Sequence, residues 1–261
     1  MKLSLVRMTV AAVALGATTL AQPVKGDTDK GLEVARLVDK ANDGFVSEQG
    51  DAELVLIDTH GSQVSREISI RTREMNQDGD RSIVTFTAPA DVAGTKLLTW
   101  AHGKSDDDQW LFLPAINRVK RISGRNKSGS FMGSEFSYED LANPELDEFT
   151  YQYVKDTSVQ GKDAWVYERR PRDTDSGYQR EVLTVVKELM QPVKVEYYDR
   201  RNELLKVAQF QGFRKYGKYF RAGSIDMSNV QTGKKSRLQW HAFKVGDPIA
   251  EDAFRPDALG T

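Results

Sequence analysis

Apolar and polar residues alternate with a period of two through most of this chain, in about a dozen short segments separated by turn-forming residues. A period of two places successive side chains on opposite faces of a strand, so each segment reads as a β-strand with one buried face. The segments fall at 52–59, 65–75, 82–87, 95–101, 109–113, 118–122, 148–155, 164–169, 178–186, 193–199, 204–213, 219–227 and 237–244. Short connections at regular spacing favour antiparallel pairing and predict a barrel or strongly curved sheet. Asn76-Gln77-Asp78-Gly79-Asp80 is the sharpest turn signal, because Asp-Gly supplies the positive φ angles of a tight hairpin. The same letters resemble a calcium loop, but the distal bidentate Glu is missing at the required spacing.

Helical periodicity is confined to a few places. Residues 28–42 read as an amphipathic helix capped by Thr28, with Leu32, Ala35, Val38 and Leu37 on its apolar side and Asn42-Asp43-Gly44 at its end. Shorter helical turns are expected at 138–142 and 250–254.

The first residues predict export. Lys2 and Arg7 form a positive start, Met8 to Leu15 an apolar run, and Thr19 and Ala21 the small residues of a cleavage site before Gln22. The run is too short to span about 30 Å of hydrocarbon. Residues 1–21 are thus expected to be a signal peptide, and the 240 residues of 22–261 suit one large periplasmic β domain or two small ones. With no cysteine in the chain, the protein is not itself lipidated and relies on its own core rather than on disulfides. Removing Lys2 and Arg7 takes the formal charge from −1 to −3, which argues against a nucleic-acid partner.

Catalytic patterns are missing. His60, His102 and His241 are not paired at metal-ligand spacing, and His102 with Asp106, Asp107 and Asp108 reads as a solvated hairpin loop. There is no Gly-x-Ser-x-Gly elbow, and the glycine-rich stretch after Ser123 lacks the Gly-Lys-Ser/Thr core of a phosphate-binding loop. The expectation is a protein that is not an enzyme and needs no metal or cofactor.

The most informative stretch is 94–143. Trp110, Leu111, Phe112 and Leu113 make a strand apolar on both faces. Arg118, Lys120, Arg121, Arg125 and Lys127 follow, and then Phe131, Met132, Phe136, Tyr138 and Leu141 on a glycine-hinged segment. So many large apolar groups would be costly in solvent and require something to cover. A lid over a sheet-lined apolar cavity meets that need. Trp100, Trp110, Phe112, Phe131, Met132 and Phe136 are the candidate cavity wall and lid. Arg118, Lys120 and Arg121 are the candidate contacts to a lipid headgroup or a protein partner, with Arg121 on the opposite strand face from the other two.

Trp-Leu-Phe-Leu-Pro at 110–114, Arg-Val-Lys-Arg-Ile-Ser-Gly at 118–124 and Ser-Gly-Ser-Phe-Met-Gly-Ser-Glu-Phe-Ser-Tyr-Glu-Asp-Leu at 128–141 resemble the outer-membrane lipoprotein-sorting protein family, relatives of the LolA-type periplasmic carriers. The resemblance implies a single domain over 22–261 and, for it, a mainly β fold with a few helices. It is an unclosed, strongly curved antiparallel sheet, an incomplete barrel of about 11 strands, wrapped around short plug or lid helices. It implies a monomeric carrier that holds a lipid or lipoprotein acyl chain and works with an inner-membrane transporter of the resistance-nodulation-division type. Cargo stays open, and a non-transporting binding or sensor module and a lipid hydrolase stand as alternatives.

Overall fold

The computed structural model describes residues 27–75 and 78–260. The expected signal segment therefore lies outside the described residues. Among those described, no helix is long and apolar enough to cross a membrane.

Among the described residues one α-helix, α1 (Thr28–Asn42), precedes fifteen strands. They are β1 (Ser47–Ile57), β2 (Gln63–Arg73), β3 (Arg81–Ala88), β4 (Lys96–Trp100), β5 (Asp108–Leu113), β6 (Arg118–Ile122), β7 (Phe149–Val159) and β8 (Lys162–Pro171), then β9 (Tyr178–Val186), β10 (Gln191–Asp199), β11 (Leu204–Gln211), β12 (Arg214–Tyr216), β13 (Tyr219–Arg221), β14 (Ser224–Asn229) and β15 (Lys235–Val245). Thirteen form one antiparallel sheet in the order β6-β5-β4-β3-β2-β1-β15-β14-β11-β10-β9-β8-β7, and β12 and β13 form a separate ribbon. The sheet is the expected unclosed, curved one, with thirteen strands rather than about eleven. Bulges at Asp51/Ala52, Glu67/Ile68, Tyr153/Lys155 and Pro192/Lys194 supply curvature, since an extra residue on one strand bends it and increases its twist.

The expected strand at 219–227 is broken at Gly223. A Cβ there would lie 2.8 Å from the carbonyl oxygen of Gly212, so two glycines let the backbones meet where the ribbon leaves the sheet. Hairpins join β2 to β3 and β4 to β5, where Asp-Gly and the His102 loop were expected to turn. Gly79 does not use a positive φ. Its Cβ position is 2.5 Å from the Ala101 backbone, so close approach is what requires glycine.

Helix α1 spans the expected residues, but Asp27 caps it rather than Thr28, its carboxylate accepting from the Lys30 N–H at 3.0 Å. Val34 and Ala35 are buried, with Leu32 and Val38 packed beside them, while Leu37 points to solvent. The helix crosses β7 at Gly31, where a Cβ would sit 2.5 Å from the Tyr153 nitrogen. Short 3₁₀ turns occupy Glu139–Leu141 and Glu251–Phe254 where helical turns were expected.

One main core lies on the inner face of the sheet, the face that carries α1. A smaller core of Ile83, Leu98, Phe112, Phe254 and Leu259 lies on the outer face of β3–β5, beneath the C-terminal residues.

Candidate functional site

Consecutive strands β6 and β7 sit at opposite edges of the thirteen-stranded sheet. Their connection, residues 123–148, therefore has to cross the sheet, and it does so over the inner face as an irregular strap. At its centre Phe131–Ser134 makes a tight turn, with the Ser134 N–H donating to the Phe131 carbonyl at 3.0 Å. Met132 and Gly133 both have positive φ, 51° and 80°, the pattern of a type I′ turn. The Phe131 N–H donates to the Phe136 carbonyl at 2.7 Å, which closes a small hairpin whose two phenylalanines point into the core. Phe131 packs on Phe86 with ring centroids 5.5 Å apart and on Tyr138 at 5.7 Å.

Polar anchors tie the strap to six strands. Arg66 of β2 donates to the Met132 carbonyl, and Ser236 of β15 accepts from the Glu135 N–H at 3.0 Å. Asn229 of β14 reaches the Glu135 carboxylate at 2.8 Å, and Gln109 of β5 reaches the Tyr138 carbonyl at 2.8 Å. Lys206 of β11 donates to the Glu135 carbonyl at 3.1 Å and to the Asp140 carboxylate. Tyr178 of β9 donates to Asp140 at 2.7 Å and bonds the Ser137 hydroxyl at 2.9 Å. Beside β9, Ser176 and the Gly177 N–H hold the Glu139 carboxylate at 2.8 and 3.1 Å.

Between the second half of the strap, α1 and the inner face of β8–β10 lies a cavity of about 930 Å³. Tyr151, Tyr167, Leu183, Val195, Tyr197 and Phe210 give it an apolar floor. Its rim is carboxylate-rich, with Asp39, Asp80, Asp107, Glu139, Glu145 and Glu148. Burial pushes Asp80 and Asp107 up to about 6 and Glu139, Glu145 and Glu148 up to about 7. Asp80 adds to the rise at Glu145, and Asp107 to that at Glu148. Within the wall, Arg169 and Glu181 pair at 2.7 and 2.9 Å across the β8–β9 register, with Glu181 buried and Arg169 partly buried. A cavity so rimmed with carboxylates suits an acyl tail poorly. The apolar volume of the inner face is instead filled by the strap.

None of the nine site residues expected from sequence lines this cavity. Phe131 and Phe136 are buried in the main core, with Met132 packed at its edge, so the strap's apolar groups are covered rather than exposed. Trp100, Trp110 and Phe112 face the other way. They pack in the outer core, where the Trp100 indole N–H donates to the Phe254 carbonyl at 2.7 Å. The three were expected to share a cavity wall with Phe131, Met132 and Phe136, but they lie on the other face of the sheet, under the C-terminal segment. Arg118, Lys120 and Arg121 lie exposed on edge strand β6, whose last residue, Ile122, lines the cavity while these three do not, and Arg121 pairs with Asp108. Lys206, Asp140, Tyr178, Arg169 and Glu181 were not singled out from sequence. The available signal was a lysine at the same strand parity as Ala208 and Phe210.

A family model described as an uncharacterized protein matches residues 78–261. No curated protein matches the chain. The chain is 38% identical to a domain from Vibrio parahaemolyticus assigned to outer membrane lipoprotein sorting, with a TM-score of 0.88 over 90% of this chain and 100% of that one. It is 27% identical to a DUF1329 family protein from Desulfovibrio piger, with a TM-score of 0.84 over 89% of this chain and 98% of that one. A LolA superfamily protein from Nitrosomonas europaea shares the fold, with 21% identity and a TM-score of 0.70 over 87% and 98% of the two chains. The chain belongs to the DUF1329 family, among the outer-membrane lipoprotein-sorting proteins.

Proposed function

We propose that this protein is a periplasmic carrier that shelters a lipid or lipoprotein acyl chain against the inner face of its sheet. The observation that carries this reading is the strap. A curved sheet whose inner face is filled by an irregular segment, rather than by a helix that could stand alone, has an apolar surface that a ligand can take over when the segment moves. Phe131, Met132 and Phe136 then act as the removable plug, and burial of each acyl CH₂ in their place is worth about 0.8 kcal/mol. No catalytic group is needed for such a role. The Vibrio relative's assignment to lipoprotein sorting supports the same reading.

The finer features follow from it. The chain is exported, cleaved before Gln22, not lipidated, and acts as a monomer. Arg118, Lys120 and Arg121, on the open β6 edge, are placed better for a protein partner than for a headgroup in the cavity. An inner-membrane transporter of the resistance-nodulation-division type is that partner. Native mass spectrometry of protein purified gently from the periplasm tests the reading. A co-purifying lipid of defined mass is expected, and a clean ligand-free mass across several preparations would sink it.

A further inference from the structure

Lys206 stands apart from every other cation on the inner face. Its side chain is 4% exposed, and the aromatic rings of Tyr178 and Tyr197 each lie 5.2 Å from its ammonium. Its ion-pair partner, Asp140, is 3% exposed and belongs to the strap, as does the Glu135 carbonyl that it also meets. The Asp140 carboxylate is held by Lys206, by the Tyr178 hydroxyl and by the strap's own Ser137 N–H at 2.6 Å. Two of those three donors are fixed in the sheet.

A buried ammonium is unfavourable unless an anion sits on it, and an apolar side chain would serve plain packing as well or better. A strap that moves to admit cargo carries Asp140 and Glu139 away with it. Left behind on this part of the sheet are Lys206, the Tyr178 hydroxyl and the mutually compensated pair Arg169–Glu181, so Lys206 is the uncompensated charge beside the Tyr178 hydroxyl, while Arg66, which loses the Met132 carbonyl, stands apart on β2. The Tyr178 phenol is raised well above its ordinary value by burial, with Asp140 and Glu139 adding to the rise, so it stays a donor.

We propose that Lys206 and Tyr178 form a receptor for one anionic phosphoryl or carboxyl group, and that the Asp140 carboxylate occupies it as an internal stand-in while the strap is docked. The inference rests on the carrier reading and adds to it a class of ligand, one whose head bears a single negative charge. Displacement of Asp140 by that head would couple cargo entry to strap release, because each competes for the same two donors.

The test uses the full mature chain and two lipids with identical acyl chains, phosphatidylglycerol and the uncharged diacylglycerol, offered together and read by native mass spectrometry. Charge-assisted hydrogen bonds donated by a desolvated ammonium to the phosphate predict that the wild type favours phosphatidylglycerol roughly tenfold. Lys206→Met should bring the two lipids close to parity. Tyr178→Phe, which keeps the ring and removes one donor, should narrow the ratio part way and guards against misfolding of the lysine variant. Asp140→Asn, which weakens the internal competitor, should raise phosphatidylglycerol occupancy several-fold. A parallel arm follows thermal stabilisation of Asp140→Asn by inorganic phosphate. Stabilisation that Lys206→Met on the same background abolishes, with neither lipid bound, keeps the receptor but assigns it to a free anion and removes the carrier reading. An unchanged lipid ratio in Lys206→Met and Tyr178→Phe, with both lipids still bound, overturns the receptor and leaves the carrier reading standing. If no protein binds either lipid or phosphate, both fall.

Discussion

Truncating Phe131 to Ala probes whether the strap is a separable unit. The side chain is 1% exposed and wedged between Phe86 and Tyr138. Removing a phenyl ring from such a site costs about 3–5 kcal/mol. The loss falls on strap docking, because the turn that presents Phe131 is local to the strap and the thirteen-stranded ladder does not run through it. At about 1.4 kcal/mol per tenfold change, exchange of the Phe131, Ser134 and Tyr138 amides should speed up by roughly two to four powers of ten. Amides of Leu183 and Val195, in β9 and β10, should change far less. Hydrogen exchange followed by mass spectrometry over 123–148 and over the sheet reads both quantities in one experiment. Equal acceleration in strap and sheet would mean that the strap is an inseparable part of the core, and the account of a removable plug would be wrong.

Other consequences follow from particular contacts. The rim carboxylates Asp80, Asp107, Glu139, Glu145 and Glu148 titrate at about 6 to 7 in the fold, above their unfolded values near 4. The native state therefore holds more protons than the unfolded state between about pH 4 and pH 7, and stability falls as pH rises through that window. Thermal melts should give a lower midpoint at pH 8 than at pH 5, and a flat or rising midpoint would contradict the burial of these groups. Arg169→Met strands the Glu181 carboxylate in the wall and should cost about 3–5 kcal/mol in urea unfolding. A loss below 1 kcal/mol would show that water reaches Glu181. Gly31→Ala places a methyl carbon 2.5 Å from the Tyr153 nitrogen, closer than packed atoms allow, so α1 must lift from β7. Limited proteolysis should then cut near residues 27–42 faster than in the wild type, with unchanged cleavage arguing that the helix can shift without cost.

The strand plan was legible because alternation of period two survives in nearly every strand, and β5 even announced that both its faces are buried. What alternation cannot give is which face is which. Trp100, Trp110 and Phe112 share one parity, Phe112 buried and the two tryptophans partly so, yet their cover is Phe254 and Leu259, more than a hundred residues away. The segment 123–148 was recognisable by its glycines and aromatics, and the resemblance it carries led to the right family. Its path was not legible, because only the strand order places β6 and β7 at opposite edges and forces the chain between them across the inner face. The charged pairs of that face were hidden for the same reason. Arg169 and Glu181 meet only through the β8–β9 register, and Lys206 finds Asp140 only once the strap is docked.

The central claim is that an acyl ligand and the strap compete for one surface, and a reversible lock tests it most directly. The chain has no cysteine, so Glu135→Cys with Ser236→Cys, at the contact where the strap meets β15, introduces a single disulfide pair. Uptake of a fluorescent fatty acid by this variant should be lost on oxidation and restored on reduction. Equal uptake in the oxidised and reduced forms would contradict the account.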